Sequence, residues 1–149
     1  MKKILILSFL SLLGLSFLSF SPSNSSITEK TTATIDFKVL TLEKALVLSK
    51  KENKPLFVYV HASWCAPCVR LKSTTFADEK VIEYFNQNFI NVSFDVDKPI
   101  SKTMVQKYKV RSVPSLYVFS PAAKTLANSE GYLNATQILQ WAKSGLNKK

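Results

Sequence analysis

Cysteine, histidine and arginine are all scarce in this chain of 149 residues: two cysteines, Cys65 and Cys68, one histidine, His61, and two arginines, Arg70 and Arg111. Each shortage removes a class of function. A closed zinc site takes four ligands, and two cysteines with one histidine do not fill it. No spacing of Asp or Glu completes the set, so no metal is expected. Covalent haem attachment wants a histidine directly after the second cysteine, and Val69 stands there. A small exported domain held together by disulfides spreads several cysteines along its length. Here a single pair closes a loop too short to restrict the unfolded chain much. The net charge is +10, but the lysines are scattered among glutamates, as in "EKALVLSKKENK". Without an arginine-rich run interleaved with aromatics, no nucleic-acid partner is expected. Nothing repeats at a fixed period, and no cofactor is called for.

Long apolar runs are also few. One follows Lys2 and Lys3, from Ile4 to Phe20, and gives way to the small polar residues "SPSNSS". That order marks an export signal. Residues 1–25 are expected to be cleaved, with the mature start near residues 24 to 26 and a remaining net charge of +8 once Lys2 and Lys3 are gone. A retained membrane anchor is the alternative, because the run approaches the roughly 17 residues that barely span a bilayer. Residues 26–34 are polar, threonine-rich and aperiodic, hence a linker. The remainder, 35–149, has the length of one domain, and a composition 46% hydrophobic and 20% charged is globular.

Within that domain "IDFKVL" reads as a short strand and Thr41 as the cap of a helix over "LEKALVLSKKEN". "LFVYV", Leu56 to Val60, is an unbroken apolar run suited to a strand buried on both faces. "CVRLKSTTF" reads as a helix, and Asp78 caps "EKVIEYFNQN" with Val81, Ile82 and Phe85 inward. "FINVSFDVD" is a strand and "SKTMVQKYKV" a short helix with Met104, Val105 and Tyr108 on its core side. "SLYVFS" and "TLANSE" are strands joined by the turn "PAAK". Asn134 and Gln137 make a capping pair for "ATQILQWAKSGLN". The sum is an α/β domain with a central mixed sheet flanked by helices on both faces.

The cysteine pair follows a buried strand and opens a helix. Cys65 therefore stands, exposed, at a helix N-terminus, where backbone N–H groups and the macrodipole favour an anion. The thiolate is the nucleophile of disulfide exchange. Cys68, one turn along and more covered, is placed to attack the mixed disulfide that results. Between them lie Ala66 and Pro67, and Pro67 has no N–H to satisfy in the first helical turn.

"KPLFVYVHASWCAPCVRLKSTTF", the segment "TFADEKV", and "VPS" at 113–115 together resemble the thioredoxin superfamily, over nearly all of residues 35–149. In detail they are similar to exported thioredoxin-like domains related to the C-terminal domain of the transmembrane thiol:disulfide interchange reductase. The resemblance implies a thioredoxin-like fold, Cys65 as attacking sulfur, Cys68 as resolving sulfur and Trp64 as part of an apolar contact surface. It implies that Pro114 is the family's cis-proline, beside the cysteines, so that the backbone of Val113 pairs with a substrate strand. Two positions depart from thioredoxin itself. Tyr59 stands where thioredoxin has a buried aspartate thought to move a proton, and a phenol with a pKa near 10 is a poor base. Tyr59 is read as a core residue, with a proton relay as the alternative. His61 replaces an aromatic residue; it is a hydrogen-bonded strand-end histidine or, if charged, a group that tunes the Cys65 thiolate. The turn "SPAAK" also lacks the glycine usual there.

The expected activity is that of an exported thiol:disulfide oxidoreductase, reducing disulfides in periplasmic or otherwise exported proteins with electrons from a membrane donor, and acting as a monomer. An oxidase or isomerase is the first alternative. A thioredoxin-fold binding or chaperone module with no redox turnover is the second.

Overall fold

In the computed structural model, residues 33–148 are described. The expected signal peptide and most of the expected linker lie outside the described residues. The strand β1, Phe37–Lys38, is shorter than the alternation of "IDFKVL" implies. Asn86 holds the segment that enters it: its side-chain amide donates to the Thr34 carbonyl and its oxygen accepts from the Asp36 N–H, both at 2.9 Å. Thr41 then accepts from the Lys44 N–H and caps α1, Leu42–Glu52, which buries Leu42, Ala45 and Ser49. Asn53 in the left-handed region ends it.

The expected buried strand is β2, Leu56–His61, whose first five residues are all buried. It occupies the centre of a five-stranded sheet of order β1-β3-β2-β4-β5. It runs parallel to β3, Ile90–Asp95, and antiparallel to β4, Ser115–Phe119. β5, Thr125–Glu130, pairs antiparallel with β4 at the edge. Alternation along β2 divides the core in two. Phe57 and Tyr59 face α2 (Ala66–Ser73), α3 (Glu79–Asn88) and α5 (Ala135–Leu146); Leu56, Val58 and Val60 face α1 and α4 (Lys102–Lys107). The mixed sheet thus carries helices on both faces, as expected.

Helix boundaries follow the predicted caps closely. Asp78 accepts from the N–H groups of Lys80 and Val81 at the start of α3. Asn134 and Gln137 exchange hydrogen bonds, each at 2.9 Å, at the start of α5. The helix after the cysteines is shorter than "CVRLKSTTF" implies. It ends at Ser73 and is followed by a 3-10 turn, Thr75–Ala77; at the junction the Thr74 hydroxyl bonds back to the Arg70 carbonyl at 2.7 Å. Gly145 is required where α5 crosses β5: a Cβ there would lie 2.9 Å from that of Ala127.

The topology itself creates a junction. Because β4 runs against β2, the start of β4 lies beside the end of β2, with Ser115 opposite Val60. Residues 113–114 therefore meet residues 62–65 across 48 positions of sequence.

The glycine-free turn "SPAAK" leaves a mark: Ala123 takes φ of 61°, a left-handed conformation that costs a non-glycine residue about 1–2 kcal/mol. Glycine there relieves that cost and gives back part of it through unfolded-chain entropy. Ala123→Gly is expected to raise stability by roughly 0.5–1 kcal/mol in urea denaturation with an unchanged m-value; a lower midpoint contradicts this account of the turn.

Candidate functional site

The last residue of β2 is followed by a tight connection in which the Cys65 N–H reaches the Ala62 carbonyl. Cys65 is then the N-cap of α2. Its carbonyl accepts from the N–H groups of Cys68 and Val69, at 3.0 and 3.1 Å, and its sulfur accepts from the Cys68 N–H at 3.2 Å. A sulfur occupies the place that a serine or aspartate oxygen takes in an ordinary helix cap. Pro67 sits in the first turn, which carries no acidic side chain. Nothing in that turn opposes negative charge on the sulfur.

Cys65 and Cys68 are joined in a disulfide, with their Cα atoms 5.2 Å apart. Both are more covered than expected for Cys65: it is 4% exposed and Cys68 1%. The cover over Cys65 comes from the loop before β4, where the Val113 carbonyl oxygen lies 3.5 Å from the Cys65 sulfur. A half-cystine sulfur has no proton, so this is a contact rather than a hydrogen bond; the reduced thiol has one to donate. The Val113–Pro114 peptide bond is cis. The loop is tethered twice, by the Gly131 N–H donating to the Pro114 carbonyl at 2.8 Å and by the buried Ser115 hydroxyl donating to the Ser112 carbonyl at 2.7 Å.

Trp64 is 69% exposed, yet its ring is held: the indole N–H donates to the Asp97 carboxylate at 3.0 Å. Trp64 and Val113 line a groove of about 360 Å³, with Val96, Val105, Val110 and Arg111 completing the walls. Asp97 and Arg111 were not singled out from the sequence as site residues. The second acid of "DVD", in the turn just past β3, was the available signal for Asp97.

Tyr59 lies beneath the pair. It is buried against Phe37 and Phe76, and its hydroxyl donates to the Cys68 carbonyl at 3.2 Å. Burial pushes its pKa well above that of a free phenol. Tyr59 packs in the core, and a phenol kept protonated is no proton acceptor. His61 stacks on Tyr59 with ring centroids 4.8 Å apart. Burial lowers its pKa, Asp95 across the strand pair raises it and Lys72 lowers it again, with a net downward direction. Burial thus favours the neutral imidazole over the charged one. Among the described residues no group of three or more His, Cys, Asp or Glu side chains comes together to hold a metal.

Tyr59→Phe removes one hydrogen bond and no titrating group. It is expected to cost about 1 kcal/mol of stability while leaving the pH dependence of disulfide exchange between pH 6 and 9 superimposable on wild type. A displaced pH profile in stopped-flow exchange contradicts the assignment.

Residues 42–145 match the thioredoxin-like domain family. Over 97 residues the chain is 27% identical to the thiol:disulfide interchange protein DsbD of Yersinia pestis, covering 63% of this chain but only 16% of that much longer protein. A solution structure of a candidate disulphide-isomerase from Bacteroides thetaiotaomicron superposes with a TM-score of 0.69 at 30% identity, covering 79% of this chain and 98% of the other. The oxidised C-terminal domain of DsbD from Neisseria meningitidis shares the fold, with a TM-score of 0.59 at 19% identity over 70% of this chain and 92% of that one. With its cysteine pair at a helix start and a family match spanning most of its length, the chain belongs to the thioredoxin-like family.

Proposed function

We propose that this protein is an exported thiol:disulfide oxidoreductase that reduces disulfides in exported proteins. The observation that carries the reading is the Cys65–Cys68 disulfide at the start of α2, with the Cys65 sulfur accepting from a helix N-terminal N–H and facing a loop beside an apolar groove. The disulfide is the oxidised end of the cycle. In the reduced form the Cys65 thiolate attacks one sulfur of a substrate disulfide. An S–S bond forms between Cys65 and substrate, and the other substrate sulfur leaves as a thiolate and takes a proton. Cys68 loses its proton and attacks the Cys65 sulfur; the mixed disulfide breaks, the second substrate sulfur leaves as a thiol, and the Cys65–Cys68 bond is restored. The substrate has gained two electrons and two protons. A dithiol donor, expected in the membrane, then reduces the pair again by the same exchange in reverse.

Each remaining site residue has a place in this scheme. Val113, whose carbonyl lies beside the reactive sulfur, offers backbone to a substrate strand, and Pro114 fixes the loop that presents it. Trp64, held by Asp97, gives the substrate an apolar wall. Ala66 and Pro67 leave the first turn uncharged. Tyr59 and His61 support the pair from beneath by packing. Export is supported by the order of residues 1–25, whose removal leaves the domain in an oxidising compartment. The reducing direction is supported by the intervening Ala66–Pro67 and by the likeness to interchange proteins of the DsbD type. The likeness to the candidate isomerase from Bacteroides supports a second reading, in which the same exchange reshuffles disulfides.

Insulin reduction driven by dithiothreitol is expected to be accelerated by the wild-type protein and not by Cys65→Ser. Cys68→Ser is expected to accumulate mixed disulfides with exported proteins on non-reducing gels. Equal rates for wild type and Cys65→Ser, or a Cys68→Ser chain that stays free of adducts, overturn the proposal. A reduction potential near −270 mV supports the reducing direction, and one near −120 mV reverses it.

A further inference from the structure

The groove beside the disulfide carries a cation without a partner among the described residues. Arg111 lines it, is exposed, and makes no hydrogen bond or ion pair among the described residues. From Lys98 to Ser129 the chain carries six cations, Lys98, Lys102, Lys107, Lys109, Arg111 and Lys124, and no acidic residue. Two carboxylates accept hydrogen bonds from neutral donors on groove-lining residues and keep their charge. Asp97 accepts from the Trp64 indole, and Glu130 accepts from the Ser112 hydroxyl at 2.5 Å. Arg111 is thus the groove-lining cation without a hydrogen-bond or ion-pair partner among the described residues, above walls built from Trp64, Val96, Val105, Val110 and Val113.

The groove also has a fixed relation to the chemistry. Val113 both lines it and places its carbonyl 3.5 Å from the Cys65 sulfur. A substrate cysteine bonded to Cys65 therefore sets its immediate neighbours in the groove, and the residues just beyond at its rim. Resting on the reductase reading above, we propose that the preferred substrates are cystine-containing segments in which an apolar residue adjoins the cysteine and an acidic residue follows it. The apolar side chain fills the valine-lined groove and the carboxylate pairs with Arg111, whose planar fork suits carboxylate recognition. Arg111 acts here as a specificity-determining residue and takes no part in bond making.

The test compares two homodimeric peptide disulfides, each with leucine on both sides of its cysteine and either glutamate or lysine beyond each leucine. The prereduced full-length protein is mixed with each, and the second-order rate of its oxidation is followed by tryptophan fluorescence. The glutamate peptide is expected to react about fivefold faster at low ionic strength, the size of about 1 kcal/mol, with the ratio falling as salt is added. Arg111→Gln is expected to bring the ratio below about twofold. Lys124→Gln makes the same change in net charge in the turn at the far end of β4, beyond Phe119, which pairs with Leu56; it is expected to keep the wild-type ratio. Equal rates for the two peptides, or an equal drop in ratio from Lys124→Gln, overturn this inference and leave the reductase reading intact. Failure of both peptides to exchange overturns the reductase reading itself.

Discussion

A single sulfur atom stands in for the capping oxygen of a helix, and the site is organised around that substitution. The Cys65 sulfur receives the Cys68 N–H that an aspartate or serine side chain receives in an ordinary cap. An oxygen cap contributes only to helix stability. A sulfur cap has a second use, because the backbone dipoles that satisfy it also stabilise its charged form relative to the thiol. The same turn of helix puts Cys68 within bonding distance, so both sulfurs are positioned by one element.

The sheet supplies the other half of the site. Antiparallel pairing of β4 with β2 delivers the Val113–Pro114 segment to the end of β2, and the tethers from Gly131 and Ser115 hold it against the sulfur. The groove follows from this meeting of two chain segments, since Trp64 comes from one and Val113 with Arg111 from the other. Beneath them the aromatic packing of Phe37, Tyr59 and Phe76 closes off the core side of the pair. Tyr59 fills the position of a buried acid with a group that stays neutral. In the proposed cycle the acceptor of the Cys68 proton is therefore a group other than Tyr59.

Much of this was legible in the sequence because local signals and global packing agree. Thr41, Asp78 and the Asn134–Gln137 pair each cap the helix that their spacing predicts. The run Leu56–Val60 lies at the centre of the sheet, as its lack of polar residues requires. The cysteine spacing, Trp64 and the "VPS" segment were sufficient to place the reactive pair and the loop opposite. Where the reading fell short, contacts between distant segments decided the outcome. Just past the early end of α2, the Thr75 hydroxyl donates to the Leu133 carbonyl, 58 positions along the chain. The cover on Cys65 comes from a loop nearly fifty residues away, which no local pattern reveals. Burial lowers the pKa of His61, and the fold brings Arg111 to the groove without a partner among the described residues.

The ionisation of the Cys65 sulfur is the most direct measure of the account. In the Cys68→Ser variant only one thiol titrates, and its pKa is read from the pH dependence of alkylation by iodoacetamide. A value clearly below the approximately 8.5 of free cysteine is predicted. A value at or above it contradicts the claim that the head of α2 activates this sulfur.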